Sequence, residues 1–120
     1  MQYMLLIYTP ENGRARTDEE WAEMMPAYMA YSAALRSSGA FVDGSGLAET
    51  ISATTVRVRD GKRAITDGPF AETKEYLGGY FVVECTTLDA AIELAAACPG
   101  ALDGSVEVRP LLTPPSQDAG

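Results

Sequence analysis

The hydrophobic and polar positions of the chain predict two strand-helix-strand units. Residues 3–8 form a continuous apolar run, which is typical of a central strand that is covered on both faces. A helix is predicted to begin at the Thr17 capping box, and its apolar residues recur every three or four positions up to Leu35. We expect this stripe to face the core. A second strand is predicted to begin at Phe41 and to bend at the glycines that follow.

The second unit repeats this order. A further apolar strand is predicted over residues 80–85, and Thr87 is the expected N-cap of a helix over residues 88–98. The apolar spacing predicts that this helix buries one stripe, formed by Leu88, Ala91, Ile92 and Ala95. Residues 105–109 alternate between apolar and polar, which indicates a half-buried final strand.

A β-hairpin is predicted between the two units, over residues 54–66. Asp60 and Gly61 are the pair preferred in a two-residue type I′ turn. That turn predicts the register, which pairs Arg59 with Lys62, Arg57 with Ala64 and Val56 with Ile65. One face of the hairpin is therefore basic. This face either draws a small anion towards the following turn or is a solvated surface that resists edge-to-edge pairing, and we favour the second interpretation.

The order of these elements predicts an α+β domain with the ferredoxin-like, split βαβ plan and the hairpin as an insertion. Right-handed crossovers would place both helices on one face of the sheet. The other face would then lack an intramolecular cover, and a second sheet packed against it is the simplest remedy. We therefore expect a homodimer. Residues 1–111 are assigned to a single domain, and residues 112–120 to a disordered tail.

Composition narrows the kinds of site that the chain can hold. With 17 acidic and 9 basic residues, the net charge is -8, which argues against nucleic acid or an anionic membrane as a partner. The absence of histidine excludes Ser-His and Cys-His dyads and the usual zinc and iron ligand sets, so we assign no metal and no cofactor. Cys85 and Cys98 lack C-x-x-C spacing; we interpret them as small buried residues of a cytoplasmic protein, in preference to the alternative of a single disulfide.

The densest polar segment spans residues 66–75 and joins the hairpin to the next strand. Gly68 and Pro69 predict a turn there, because glycine tolerates unusual backbone angles and proline fixes φ. Phe70 is the expected apolar anchor of that turn. Turn geometry and anchoring explain these three residue types without any chemistry, and we prefer that explanation for them.

The charged residues of the same segment are candidates for catalysis. Asp67 or Glu72 would accept a proton, since a carboxylate desolvated beside an aromatic ring is suited to acid-base chemistry. Lys74 or Arg59 would act as the electrophilic partner. The predicted ligand-binding residues include Arg59 again. The full set is Tyr8, Arg57, Arg59, Gly68, Pro69, Phe70, Glu75, Gly79 and Tyr80.

Several stretches of the chain resemble the DGPF-domain branch of the YCII-related family. They are residues 1–6, 54–62, 67–75, 77–80 and 106–110, of which the nine-residue motif at 67–75 is the most specific. The resemblance implies a dimeric α+β barrel, the fold of small monooxygenases and muconolactone isomerases. It also implies a link to extracytoplasmic-function sigma factors. A histidine-aspartate pair proposed for the YCII branch cannot operate here, because this chain has no histidine.

Two functions follow from these observations. The first is binding of a small molecule in the cleft between helix and sheet near the turn at residues 67–69, with cofactor-free acid-base catalysis as an extension. The second is a non-catalytic regulatory or partner-binding module linked to a sigma factor, in which residues 67–75 are a structural turn. Both hypotheses use the same residues.

Overall fold

The computed structural model describes residues 1–10, 17–69 and 74–112. Its helices and strands follow the predicted order. They are β1 (Gln2–Thr9), α1 (Asp18–Ser37), β2 (Phe41–Gly46), β3 (Thr54–Arg59), β4 (Lys62–Asp67), β5 (Tyr76–Glu84), α2 (Leu88–Ala97) and β6 (Ser105–Pro110), with short 3₁₀ turns at Thr50–Ser52 and Pro99–Ala101. The predicted disordered tail falls on residues 112–120, of which 113–120 lie outside the described residues.

The main sheet has four antiparallel strands in the order β2-β5-β1-β6. β1 lies in the middle, with Leu5 opposite Phe81 on one side and opposite Val108 on the other. This is the strand order of a split βαβ unit, so the predicted ferredoxin-like plan is confirmed. The bend predicted at the glycines of β2 is misplaced, because the register shifts earlier, between Phe41 and Asp43, and Gly44 and Gly46 pair regularly with β5.

Both helices pack on the same face of the sheet, as predicted. Thr17 and Glu20 form the expected capping box at the start of α1, and Thr87 caps α2 by accepting from the Ala90 N–H. The Tyr31 hydroxyl of α1 donates to the Leu94 carbonyl of α2 over 2.6 Å. The core between helices and sheet contains Tyr3, Leu5, Ile7, Tyr31, Leu35, Ala40, Phe81, Val83, Cys85, Ala91, Ala95 and Cys98.

Two expectations about the helices are wrong in detail. On α2, Leu88 and Ile92 are exposed, and the residues that face the sheet are Ala91 and Ala95. Small side chains let the helix approach the sheet closely, and this turns the larger ones outward. On α1, the apolar stripe is buried only towards the C-terminal end, and Trp21 at the other end is 43% exposed.

Neither helix covers the opposite face of the main sheet, where Val82 is 7% exposed and its neighbours are half-buried. Side chains alternate along a strand, so the residues between Tyr3, Leu5 and Ile7 point away from the helices. Paired residues on adjacent strands share a face of the sheet. Val82, opposite Met4, and Tyr80, opposite Leu6, therefore lie on this face as well. We call this surface the open face, and its apolar members are Met4, Leu6, Tyr8, Tyr80 and Val82. It matches the uncovered surface that the sequence predicts.

β3 and β4 form a separate two-stranded sheet, the hairpin. The predicted register is confirmed at all three pairs, from Arg59–Lys62 to Val56–Ile65. Asp60 and Gly61 have φ values of 53° and 74°, which are the backbone angles that a type I′ turn requires. The local sequence therefore determined this element completely.

Cys85 and Cys98 are free and buried, as predicted. Burial raises the pKa of both thiols, so both are protonated at neutral pH. Neither helix of the described residues combines the length and the apolar character needed to cross a membrane.

Candidate functional site

A cavity of about 560 Å³ lies between α1 and the end of the sheet formed by β2 and β5. The C-terminal half of α1 packs directly on the sheet. The N-terminal half of the same helix extends past this contact, and the cavity lies beneath it. Tyr31 and Leu35 fill the core, whereas the residues one to three turns earlier stand over the cavity. The segment of residues 47–50, which leads from β2 towards the hairpin, closes one side.

The helix wall of the cavity is largely apolar. Its large side chains are a tryptophan, a tyrosine, three methionines and one arginine, and two small residues complete it, namely Trp21, Tyr28, Met24, Met25, Met29, Arg36, Ser32 and Ala33. Three of these are partly open to solvent, with Trp21 43%, Met25 44% and Met29 64% exposed. Methionine side chains are flexible and polarisable, so a wall of this kind adapts to ligands of different shape.

The sheet side of the cavity depends on glycines. A Cβ atom at Gly44 would lie 2.6 Å from Cδ1 of Phe81, and one at Gly79 would lie 3.0 Å from the Ser45 carbonyl oxygen. Glycine at these positions therefore lets β2 and β5 approach closely without a shift of either strand or of the Phe81 ring. Gly79 thus permits the close approach of the β2 backbone, and it also lines the cavity.

Two charged residues belong to the described lining, Arg36 and Glu49. The Arg36 guanidinium carbon lies 3.9 Å from the centroid of the Phe41 ring, which also lines the cavity. Contact with the aromatic face holds the guanidinium in place and leaves N–H groups that point away from the ring available to an acceptor. The cavity thus combines a large apolar surface with one positioned cation.

A second, smaller cavity of about 300 Å³ lies beside the first. The two share Ile7, Thr9, Met24 and Tyr28 as lining residues, so these side chains form the partition between them. Behind the partition, Cys98 is 1% exposed, and its raised pKa, caused mainly by burial, makes it a poor nucleophile.

Most of the predicted site residues lie away from the main cavity. Asp67 is exposed at the end of β4, and Pro69 and Lys74 are exposed as well. Gly68 has a φ of 100°, as its predicted turn requires, and its N–H donates to the Ala53 carbonyl over 2.7 Å. Arg57 and Arg59 lie on the basic face of the hairpin. Phe70 and Glu72 lie outside the described residues.

The remaining predicted residues belong to the open face or to the end of the sheet. The Tyr8 hydroxyl donates to Oε1 of Glu107 over 3.1 Å, and burial together with this carboxylate raises the pKa of Tyr8. Tyr80 lies opposite Leu6 on the open face. The Ser105 hydroxyl lies 3.0 Å from each carboxylate oxygen of Glu75. Of the predicted binding set that the structure describes, Gly79 is the member that lines the main cavity.

The residues that sequence reasoning missed come mainly from α1. Trp21 and the three methionines belong to the apolar helix that the sequence predicts to face the core, because helical spacing is equally typical of a buried stripe. Local composition could have distinguished these cavity-lining residues from residues of the core. Three methionines and the single tryptophan of the chain fall within nine residues, and methionine-rich surfaces are typical of adaptable binding sites.

No group of three or more cysteine, aspartate or glutamate side chains with metal-binding geometry occurs among the described residues. The cavity lining offers hydroxyls, one guanidinium and one carboxylate, which are groups for hydrogen bonding and charge pairing.

Comparisons with known proteins agree with this architecture. The chain is 36% identical over 114 residues to an uncharacterised protein of Rhizobium meliloti (strain 1021), with 92% of each chain covered. Among solved structures it is similar to 5-chloro-2-hydroxyhydroquinone dehydrochlorinase (TftG) of Burkholderia phenoliruptrix AC1100 in complex with 2,5-dihydroxybenzoquinone. That match has a TM-score of 0.51 at 13% identity and covers 93% of this chain and 94% of the other. At this identity the likeness shows the fold alone, that of the dimeric α+β barrels. The model of the YCII-related domain matches residues 1–113, and the chain therefore belongs to the YCII-related family.

Proposed function

We propose that this protein binds a small, largely apolar organic molecule that carries one anionic group, in the cavity between α1 and the β2–β5 end of the sheet. The observation that carries the proposal is the cavity itself. Its volume of about 560 Å³ lies within the range of about 300–1,000 Å³ that is typical of small-molecule sites. Its lining has the composition expected of such a site, with many apolar side chains and few polar ones.

The anionic group is assigned to Arg36. Arg36 is the positively charged residue of the described lining. Its guanidinium carbon lies 3.9 Å from the centroid of the Phe41 ring, and this contact fixes its position. A planar guanidinium offers paired N–H donors to a carboxylate, sulfonate or phenolate. The quinone bound by TftG belongs to that protein, and it supports the size class of ligand proposed here without defining it.

The single tryptophan provides a direct test. Trp21 lines the cavity, so a fluorescent ligand bound there should quench its emission and receive energy from it. We expect 8-anilinonaphthalene-1-sulfonate, an aromatic anion, to bind saturably at one site per chain, with its own emission and the Trp21 emission changing at the same concentration. Saturable binding that leaves the Trp21 emission unchanged would place the dye elsewhere and contradict the proposal.

Replacing Arg36 should separate charge recognition from apolar contact. For Arg36→Met we expect the dissociation constant of the sulfonate dye to rise about tenfold, since a hydrogen bond to a charged group contributes about 1.5–3 kcal/mol and this one is partly solvated. The neutral analogue N-phenyl-1-naphthylamine should bind the variant as it binds the wild type. Glu49→Gln is the control, because it removes the other charge of the lining. An equal loss for both dyes would show that Arg36 serves only to support the cavity.

Assembly as a homodimer belongs to the same proposal. The open face is apolar and runs across the two central strands, and a second open face packed against it would remove both from water. The fold supports this arrangement, because the dimeric α+β barrels are built from two such sheets. Sedimentation of the wild-type protein tests the idea, and a monomer at every concentration would contradict it.

Catalysis and regulation stay predictions. Asp67 and Lys74 are exposed outside the cavity, so acid-base chemistry by these residues would need a second site at the turn near Gly68. The regulatory alternative predicts that a sigma factor co-purifies with the protein and that this association survives Asp67→Ala. Loss of the association in that variant would argue instead for a direct role of the turn.

A further inference from the structure

The hairpin is an arm that the described part of its own chain leaves largely uncovered. Its two strands bond to each other and not to the main sheet. Every residue of β4 is exposed, and in β3 only Thr55 is partly covered. A lone two-stranded hairpin is at best marginally stable in water. An element of this kind is typically stabilised by something that packs against it.

One face of this arm, which we call its apolar face, carries three exposed apolar side chains. Val56 and Ile65 are paired across the hairpin and Val58 lies on the same side, and they are 56%, 61% and 60% exposed. Arg63 pairs with Val58 and therefore lies on this face too, whereas Arg57, Arg59 and Lys62 lie on the other. Three neighbouring β-branched side chains form a surface suited to protein contact rather than to solvent.

The charge of the arm is opposite to that of the rest of the chain. Residues 54–67 contain four basic and two acidic residues, which leaves five basic and fifteen acidic residues elsewhere. The arm is thus positive, and the body, meaning all other residues, is strongly negative. A second copy of the same chain offers the arm a surface of the complementary sign. Nucleic acid fits worse, because the negative body would repel its phosphates.

We infer that the β3–β4 arm of each copy packs its Val56–Val58–Ile65 face on the body of a second copy. The inference rests on the homodimer proposed above and adds a contact beyond the open face. In a two-fold dimer the arm of each copy would contact the body of the other. The two copies would therefore be joined at the open face and by both arms.

The arm also connects directly to the cavity. Residues 47–50 lead into the arm and residues 76–79 follow it, and both segments line the cavity. They are joined by a hydrogen bond of 2.9 Å from the Leu47 N–H to the Gly78 carbonyl. Docking of the arm therefore fixes two segments of the cavity wall, so that the partner copy stabilises the binding site.

Adjacent substitutions on opposite faces of β4 test the inference. Ile65→Lys places a charge on the apolar face, and Ala64→Lys places the same charge on the basic face. We expect Ile65→Lys to raise the dimer dissociation constant, measured by sedimentation velocity over a dilution series, by about tenfold or more. Ala64→Lys should leave it unchanged. Hydrogen exchange of the arm amides should slow as the wild-type protein concentration rises, and this slowing should be lost in Ile65→Lys.

Four outcomes decide the matter. The pattern above supports the arm contact. If Leu6→Lys on the open face dissociates the dimer while Ile65→Lys does not, the arm contact is wrong and the homodimer stands. If the wild-type protein is always a monomer, both are wrong. If the arm amides are protected equally at every concentration, the arm is covered by its own chain and the inference is overturned.

Discussion

Ala33→Phe is expected to weaken binding of 8-anilinonaphthalene-1-sulfonate by about 10- to 100-fold, because the added ring occupies the space that the dye needs. Ala33 lies on α1 between Met29 and Arg36 and lines the cavity. Its side chain ends at Cβ, so a phenyl ring at this position must project from the helix wall. Phenylalanine also leaves Trp21 as the only tryptophan, and the fluorescence readout is preserved.

The neighbouring Ala34 supplies the matched control. It is an exposed alanine of the same helix, but it is not part of the cavity lining. Ala34→Phe should therefore bind the dye as the wild type does, and both variants should unfold at the wild-type temperature. If the two variants lose binding to the same extent, the dye does not occupy this cavity.

Leu5→Ala is expected to lower the free energy of unfolding by about 3 kcal/mol, which is within the range measured for leucine truncations in well-packed cores. Leu5 is fully buried at the centre of β1, the strand that pairs on both sides. Its neighbours Phe81 and Val108 belong to backbones fixed by sheet hydrogen bonds, so they cannot move in to fill the space. Urea unfolding at one fixed protein concentration measures the change.

Leu102→Ala makes the same substitution at a side chain that is 90% exposed. Its effect should stay within about 0.5 kcal/mol, as is usual for surface sites. The concentration is held fixed because dissociation of a dimer would contribute to the measured stability. Equal effects at positions 5 and 102 would mean that the core described here is not the one that stabilises the protein.

The apolar stripe of α1 is predicted correctly from its spacing, but the surroundings of its N-terminal half are not. The helical spacing of Trp21, Met24 and Tyr28 predicts that they share one face, and they do. Spacing does not say what lies opposite that face. The four-stranded sheet packs against α1 at Tyr31 and Leu35. The earlier residues of the apolar stripe line a cavity instead.

The polar segment shows the reverse case. Gly68 and Pro69 were predicted as a turn from their own backbone preferences, and Gly68 has the positive φ that such a turn favours. The chemistry assigned to Asp67 and Lys74 needed them to converge on an enclosed space. In the structure both are exposed, whereas Gly79, a few residues later, lines the cavity.

The sequence alone determined the elements, their order and the register of the hairpin. These depend on neighbouring residues, such as the Thr17–Glu20 capping box and the Asp60-Gly61 turn, whose energetics are local. Only the tertiary structure decided which face of α2 is buried, where the cavity lies, and that the arm stands apart from the sheet. These features depend on the shapes and distances of surfaces far apart in the chain, which periodicity does not encode.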